Sequence, residues 1–424
     1  MNILLLGSGG REHAFAWKLS QSGNPGKLYI APGNAGTAQC GENVTVNPLD
    51  FEEVLVFCQN NNISLILPGN EDPLVAGIVD FMRPHGIAVA GPDQYAATLE
   101  GSKDFAKAFM MRHNIPTAAY RSFTADNLHE GKDFLGTLSP PYVLKADGLA
   151  AGKGVIITED RAEAESVLDD MILNARFGNA GNTVVIEEFL HGIEISCFAV
   201  SDGETWRMLG SAKDYKRIGE GDTGPNTGGM GAISPVPFAN EAFMQKVAER
   251  IAIPTFEGLK KEGHPFRGFL FMGLMNCNGE PKVIEYNVRM GDPETEAIFP
   301  RLRVNMKDLA MAIAHGGLDK LPFEMDSRTA ATIFLVSAGY PGEIEKGKPM
   351  HIPAPGAQTL FFHAGTRQTD EGVVTNGGRV LAITSLAENM GMAAEISLHA
   401  AETVQYEGKF YRKDIGKDLQ ALQP

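Results

Sequence analysis

A chain of 424 residues with 43% hydrophobic and 21% charged positions can form roughly two to four domains with buried cores; its 48 glycines and 24 prolines signal many turns, and the composition excludes disorder and collagen. Its formal charge of -15, from 37 basic and 52 acidic residues, repels nucleic acid and anionic lipid, so neither is an expected partner, while a local basic pocket for a phosphorylated small molecule stays open. Cys40, Cys58, Cys197 and Cys277 form no CxxC and no metal-ligand spacing, which fits reduced thiols in a cytoplasmic protein.

The opening MNILLL lacks a basic leader and breaks at Gly7, unlike a signal peptide, and no run reaches about 18 apolar residues. NILLL reads as a buried parallel strand, GSGG as a turn and REHAFAWKLSQS as a helix. KLYIAPG, ISLILPG and IAVAGP read as further strands, with VAGIVDFMRPHG helical, so residues 1–100 form a small open α/β domain. A polar helix then runs from about Leu99 to His113.

Strands are expected at YVLKA, GVIIT and TVVIEEFL, with a helix over RAEAESVLDDMILNA. EISCFAV and TWRMLGS follow as strands, then a loop GEGDTGPNTGGMGAISP, a helix from Ala239, and RGFLFMGLMNC and PKVIEYNVR joined by an Asn278-Gly279 hairpin turn. The last hundred residues carry TAATIFLVSAG, TLFFHAG and GGRVLAITS as strands and a helix from Leu386.

The stretch 145-KADGLAAGKGV-155 places two lysines around a glycine-rich turn. Glycines let backbone N–H groups approach phosphate oxygens, but Lys153 is followed by Gly154 and no helix follows, so this is no Walker A loop. On pattern alone a solvated turn is the stronger reading. Along 283-VIEYNVRMGDPETE-296, strand alternation puts Glu285, Asn287 and Arg289 on one face, where two oxygen ligands and a guanidinium suit a divalent cation carrying phosphates; a solvated face is the plain alternative. Three further acids in RMGDPETE crowd that turn unless a cation or amine compensates them. VIEEFLHGIEI resembles a hinge strand that meets adenine through its backbone, with Glu194 on a ribose. In GSGGREH, Gly7 and Gly9 match the start of GxGxxG, but Glu12 stands at the third glycine and KLYIAPG offers no acid for a ribose, which disfavours NAD. A small phosphate at that helix N-terminus, with Arg11, remains open.

Together, GSGGREHA, LEGSK, VLKADGLAAGKGV, VIEEFLHGIEIS, DYKRIGEGDTGPNTGGMGAISP, FRGFLFMGLM and VIEYNVRMGDPETE closely resemble the phosphoribosylamine-glycine ligase (glycinamide ribonucleotide synthetase) family of the ATP-grasp superfamily, over essentially the whole chain. The resemblance implies a multidomain α/β and α+β ATP-grasp fold: an N-terminal open α/β domain (1–100), a central ATP-grasp domain (101–120 and 191–325), a lid-like subdomain (121–190) and a small mixed C-terminal domain (326–424). It implies ATP-dependent ligation of glycine to 5-phosphoribosylamine in purine biosynthesis, through a glycyl phosphate, with ATP and Mg2+ or Mn2+. A monomer in transient contact with neighbouring pathway enzymes is expected.

Carried over by motif, Lys103, Lys145 and the loop Ala151, Gly152, Lys153 and Gly154 would contact ATP phosphates. Glu187, Glu188, Phe189 and Leu190 would receive adenine, Glu194 its ribose, and Glu285 and Asn287 the metal. Lys213, Asp214, Arg289, Asp292 and Glu294 would border the reacting glycine, with Gly9, Gly10, Arg11, Asn226, Thr227, Gly228 and Gly229 on the phosphoribosylamine. The chain departs from the family pattern at 67-LPGNEDPL-74, which bears on Glu71 and Asp72, and at Val288 and Met290, which face away from the site. Another carboxylate-amine ligase or carboxylase of the superfamily, or a nucleotide-responsive regulator without turnover, are the rival readings.

Overall fold

The computed structural model describes residues 1–23, 26–149, 154–174 and 176–422. Ala151, Gly152 and Lys153 of the phosphate-loop reading lie outside the described residues.

The N-terminal strand Asn2–Gly7 is central in a five-stranded parallel sheet, flanked by Leu28–Pro32 and Ile63–Pro68. Its Ile3, Leu4, Leu5 and Leu6 are fully buried, as an uninterrupted apolar run in a sheet covered on both faces requires. The edges are only two residues long, Glu42–Asn43 and Ala88–Val89, so IAVAGP contributes much less strand than its pattern suggests. The helix Gly10–Ser20 follows the first strand directly.

The expected single helix up to His113 is two, Gln94–Gly101 and Lys103–Arg112. Ser102 breaks it because its extended backbone and side chain cap the second helix, accepting from Phe105 N at 3.0 Å. A four-stranded sheet follows, in the order Tyr120–Phe123, Val184–Glu187, Tyr142–Ala146, Val155–Thr158, with the helix Arg161–Ile172 packed on it.

The largest sheet has eight strands, from Glu280–Asn287 and Arg267–Cys277 through Ile193–Asp202, Trp206–Asp214, Gly231–Ser234 and Thr329–Val336 to Arg379–Ala387 and Thr359–His363. The Asn278-Gly279 turn is present, with positive φ at both residues as a tight hairpin needs. Gly231–Ser234 corrects the sequence reading, which left that stretch in a loop. It bridges Trp206–Asp214 and Thr329–Val336, so one sheet runs from the central strands into the C-terminal ones. The preceding loop also holds a small ribbon, Arg217–Gly219 against Thr223–Asn226.

Two helix starts move for a local reason. Asn240 caps Glu241–Val247 and Asn389 caps Met390–Thr403, so the latter begins after a strand that continues to Ala387 rather than at Leu386. Among the described residues no helix is long and apolar enough to cross a membrane.

Candidate active site

The helix Lys103–Arg112 puts Lys103 and Lys107 one turn apart on one face. Glu187, at the end of its strand, lies between two cations: its Oε2 is 3.0 Å from Lys107 Nζ and its Oε1 2.9 Å from Lys145 Nζ. All three side chains are buried. Burial lowers the Lys107 ammonium to about 8, against the pull of Glu187. Lys103 Nζ donates to Gly148 O at 2.9 Å at the start of the glycine-rich turn, and Gly154 O at its far end accepts from Ala146 N. Asp147 ties this turn to the helix, accepting from Asp104 N and Ser102 Oγ, both at 3.1 Å.

Glu188 accepts from Ala119 N at 3.0 Å, Phe189 stacks edge-on to His191, and Leu190 is buried beside them. Glu194 pairs with Lys216. Lys216 also faces Glu285 and Asp214; burial opposes its charge, but the three carboxylates together raise its pKa.

Glu285 has the mirrored environment. Burial pushes its carboxyl up, but Lys216, Lys145, Lys103 and Arg289 outweigh this and hold it below its ordinary value. Arg289 lies beyond the strand end yet returns to it, donating to Asn287 Oδ1 at 3.1 Å, while Glu71 and Glu100 each bind its guanidinium at 3.0 Å. Glu100 also accepts from Val288 N at 2.7 Å; burial raises its carboxyl to about 7. The departure at 67-LPGNEDPL-74 therefore leaves Glu71 in working contact with Arg289.

Asp214, half-buried, and the buried Glu294 form an acidic pair. Burial and then mutual repulsion push Asp214 well above the carboxylate range; Glu294 is raised by burial and accepts from Ser196 Oγ at 2.8 Å. Gly229 makes their approach possible: at φ +113° it packs so closely on Pro293 that a Cβ would collide, and that Cβ would sit 2.7 Å from Asp214 Oδ1. Lys213, one residue earlier on the strand, projects to the opposite face and binds Asp418, apart from Asp214.

The N-terminal turn is tied to two acidic side chains. Gly9 N donates to Glu12 Oε2 at 2.5 Å and Arg11 N to Asp292 Oδ2 at 3.4 Å. Arg11 is buried, paired with Glu12 at 2.6 Å and donating to Met290 O at 3.0 Å, so its charge supports the turn. Beside this turn lies a cleft of about 250 Å³, lined by Ser8, Gly9, Asp292, Thr366, Asn376 and Arg379 among others.

Arg379 binds Asp292 Oδ1 at 3.0 Å, Gly228 O at 2.5 Å and Asp292 O at 2.9 Å. It joins the C-terminal strand to the 226–229 loop, where Thr227 N donates to Lys216 O at 2.7 Å, Gly228 N to Tyr340 Oη at 2.9 Å, and Asn226 ends the exposed ribbon. Gly10 packs against Glu296.

The folded chain thus gathers Lys103, Lys145, Glu187, Glu194, Glu285, Asn287 and Arg289 on one side, and Gly9, Asp214, Asp292, Glu294 and the 226–229 loop on the other. Sequence reasoning missed Lys107, Lys216, Glu100, Arg379 and Glu296. Lys107 had a signal, one helical turn after Lys103; Arg379 had none, because only the long sheet brings its strand to the cleft.

Family models describing phosphoribosylglycinamide synthetase match the chain in three parts: the N domain over residues 1–100, the ATP-grasp (A) domain over 101–295 and the C domain over 330–418. A phosphoribosylamine-glycine ligase of Pseudomonas aeruginosa is 46% identical over 422 residues, covering 98% of this chain and 97% of its own. That of Yersinia pestis is 45% identical, covering 98% of each. The crystal structure of phosphoribosylamine-glycine ligase from Thermotoga maritima superposes with a TM-score of 0.85 at 37% identity, covering 98% of this chain and all of that one. With matches to all three domains and full-length relatives, this chain belongs to the phosphoribosylglycinamide synthetase family.

Proposed function

We propose that the chain joins glycine to 5-phospho-D-ribosylamine, converting ATP to ADP and phosphate and yielding glycinamide ribonucleotide through a glycyl phosphate. The observation that carries the site reading is the setting of Glu285, one carboxylate amid Lys103, Lys145, Lys216 and Arg289. Such a cluster suits a triphosphate that brings its own metal.

The donors fit Mg2+ or Mn2+ held in that way. Glu285 and Asn287 offer a carboxylate and an amide oxygen, and the buried Asn287 Nδ2 has no hydrogen-bond partner among the described residues. Among the described residues no three His, Cys, Asp or Glu side chains cluster to hold a metal alone, so the nucleotide's oxygens would complete its shell. The metal would supply charge stabilisation for phosphoryl transfer.

Lys103, Lys145 and Arg289 neutralise the transferring phosphoryl group, whose chemistry is mainly positioning and electrostatics. Glu187 orients Lys145, and the Glu187–Leu190 strand end receives adenine, with Glu194 on the ribose. A glycine carboxylate oxygen takes the terminal phosphoryl group and ADP leaves; the amine nitrogen then attacks the glycyl carbonyl, phosphate leaves, and the nitrogen sheds a proton. Asp214 and Glu294 suit a substrate amino group because neither reaches full charge easily without a cation beside it. Asp292, Arg379 and the 226–229 loop border the phosphoribosyl group in the adjoining cleft. Residues 121–190 act as the cover that keeps water from the acyl phosphate.

The test is phosphate release with ATP, magnesium, glycine and freshly generated phosphoribosylamine, omitting each in turn and weighing the product. Release that needs all four components, with a product of glycine joined to phosphoribosylamine, is expected. Release indifferent to glycine would reassign the carboxylate substrate, and ATP binding without product would favour a regulator.

A further inference from the structure

Glu296 lies on the short helix Glu294–Ile298, between the eight-stranded sheet and the helix Gly10–Ser20, and is wholly excluded from solvent. Neither carboxyl oxygen has a hydrogen-bond partner among the described residues. Its Oε1 fills the space beneath Gly10, where a Cβ would collide with it and meet the Phe334 ring at 3.2 Å.

The charges that act on it are Asp292 from the preceding turn, Arg379 from Arg379–Ala387 and Arg11 from the first helix; the packed elements also carry Glu12, His13 and Lys18 on that helix and Asp214 at the end of the strand Trp206–Asp214. The other packed strands, Gly231–Ser234 and Thr329–Val336, carry no titratable side chain. Both arginines are committed elsewhere, Arg11 to Glu12 and Met290 O, Arg379 to Asp292 and Gly228 O.

A carboxylate in this place would be a buried charge without a donor, whereas a carboxylic acid has the same shape without that cost. We propose that Glu296 is a positioning residue for the phosphoribosylamine cleft and works as an uncharged carboxylic acid, filling the space under Gly10 while leaving Arg379 to Asp292. This rests on the reading that the amine donor binds beside Arg379. Burial first, then the charge of Asp292, hold its carboxyl well above the ordinary range, in agreement with the geometry. An ionised Glu296 would compete with Asp292 for Arg379 and draw the guanidinium out of the cleft.

The experiment compares the parent with Glu296→Gln and Glu296→Leu. In the unfolded chain Glu296 ionises near its ordinary value, while the native state keeps the proton, so its contribution to stability falls as pH rises above that value. The unfolding midpoint of Glu296→Gln minus that of the parent should therefore grow from pH 5.5 to 8. A gap that is flat or shrinks over this range overturns the uncharged state.

For function, Glu296→Gln should hold KM for phosphoribosylamine within about twofold, while Glu296→Leu raises it about fivefold or more with KM for ATP unchanged. A Gln variant as impaired as Leu, or a Leu variant with unchanged KM, overturns the positioning role. If Leu does not fold, the Gln kinetics and pH series decide. Arg379→Met separates the two readings: an unchanged KM for the amine would remove the cleft assignment and the positioning role with it, while the stability series still judges the proton on its own.

Discussion

Lys107 reaches Glu187 Oε2 at 3.0 Å, so the carboxylate that orients Lys145 is itself held by a second buried cation. Lys107 also donates to Thr117 Oγ1 at 2.8 Å, which donates to Val283 O at 2.7 Å and so links the lysine pair to the strand bearing Glu285. Lys107→Met leaves Glu187 with one partner and a looser Lys145. It should raise KM for ATP by roughly tenfold and destabilise the fold by about 3 kcal/mol, the low end for loss of one member of a buried ionic group because Lys145 still pairs with Glu187. Steady-state kinetics with ATP varied, beside urea unfolding, checks both; unchanged values would leave Lys107 as filler.

Glu285→Ala should suppress ligation by at least about a hundredfold. The fold should persist with a modest loss of stability, because Glu285 accepts no hydrogen bond among the described residues but offsets the charge of Lys216, Lys145, Lys103 and Arg289. Calorimetry should show weaker binding of the magnesium-ADP complex, with a smaller change for metal-free ADP. Equal losses with and without the metal would count against Glu285 as its ligand.

Asp214 and Lys213 are neighbours in sequence on opposite faces of a strand. Asp214→Asn should lower kcat strongly, by roughly a hundredfold, while Lys213→Met should alter kcat by less than about threefold and act on stability through Asp418. Parallel kcat and thermal midpoints for the two variants give the answer. A larger kcat loss in Lys213→Met would move that lysine into the reaction centre.

His13 accepts from the backbone N–H of His363 at 2.7 Å, joining the first helix to the C-terminal edge strand. Burial, then His363, lowers His13 to about 3; burial lowers His363 to about 4. Unfolded histidines take up protons near 6.5 while the native pair stays neutral, so the unfolded state binds more protons and stability falls as pH drops from about 6.5 towards 4. Each histidine contributes a slope approaching about 1.4 kcal/mol per pH unit below 6.5. Urea midpoints from pH 7 to 5 should show this, and His13→Gln should remove about half of the histidine contribution.

Local chemistry was legible in the sequence. The apolar run Ile3–Leu6, the Asn278-Gly279 turn and the strands Arg267–Cys277 and Tyr142–Ala146 follow from alternation and turn residues, which act over a few neighbours. The motifs around Lys103, Lys145, Glu194, Glu285 and Arg289 likewise carried the family resemblance and the activity it implies. Helix starts shifted where one capping side chain, at Ser102 or Asn389, outweighed the periodic pattern.

Tertiary structure alone decided which charges meet. Glu71, Glu100 and Arg289 are far apart in sequence but share one ion-paired cluster, and Arg379 reaches Asp292 only because Gly231–Ser234 continues the sheet into the C-terminal strands. The same holds for what the titratable groups do: Arg11, readable as a phosphate ligand, is buried against Glu12, and Glu296 is shut in beneath Gly10. Residue type sets a side chain's ordinary charge, but the desolvation and distant partners that keep or remove that charge exist only once the chain has folded.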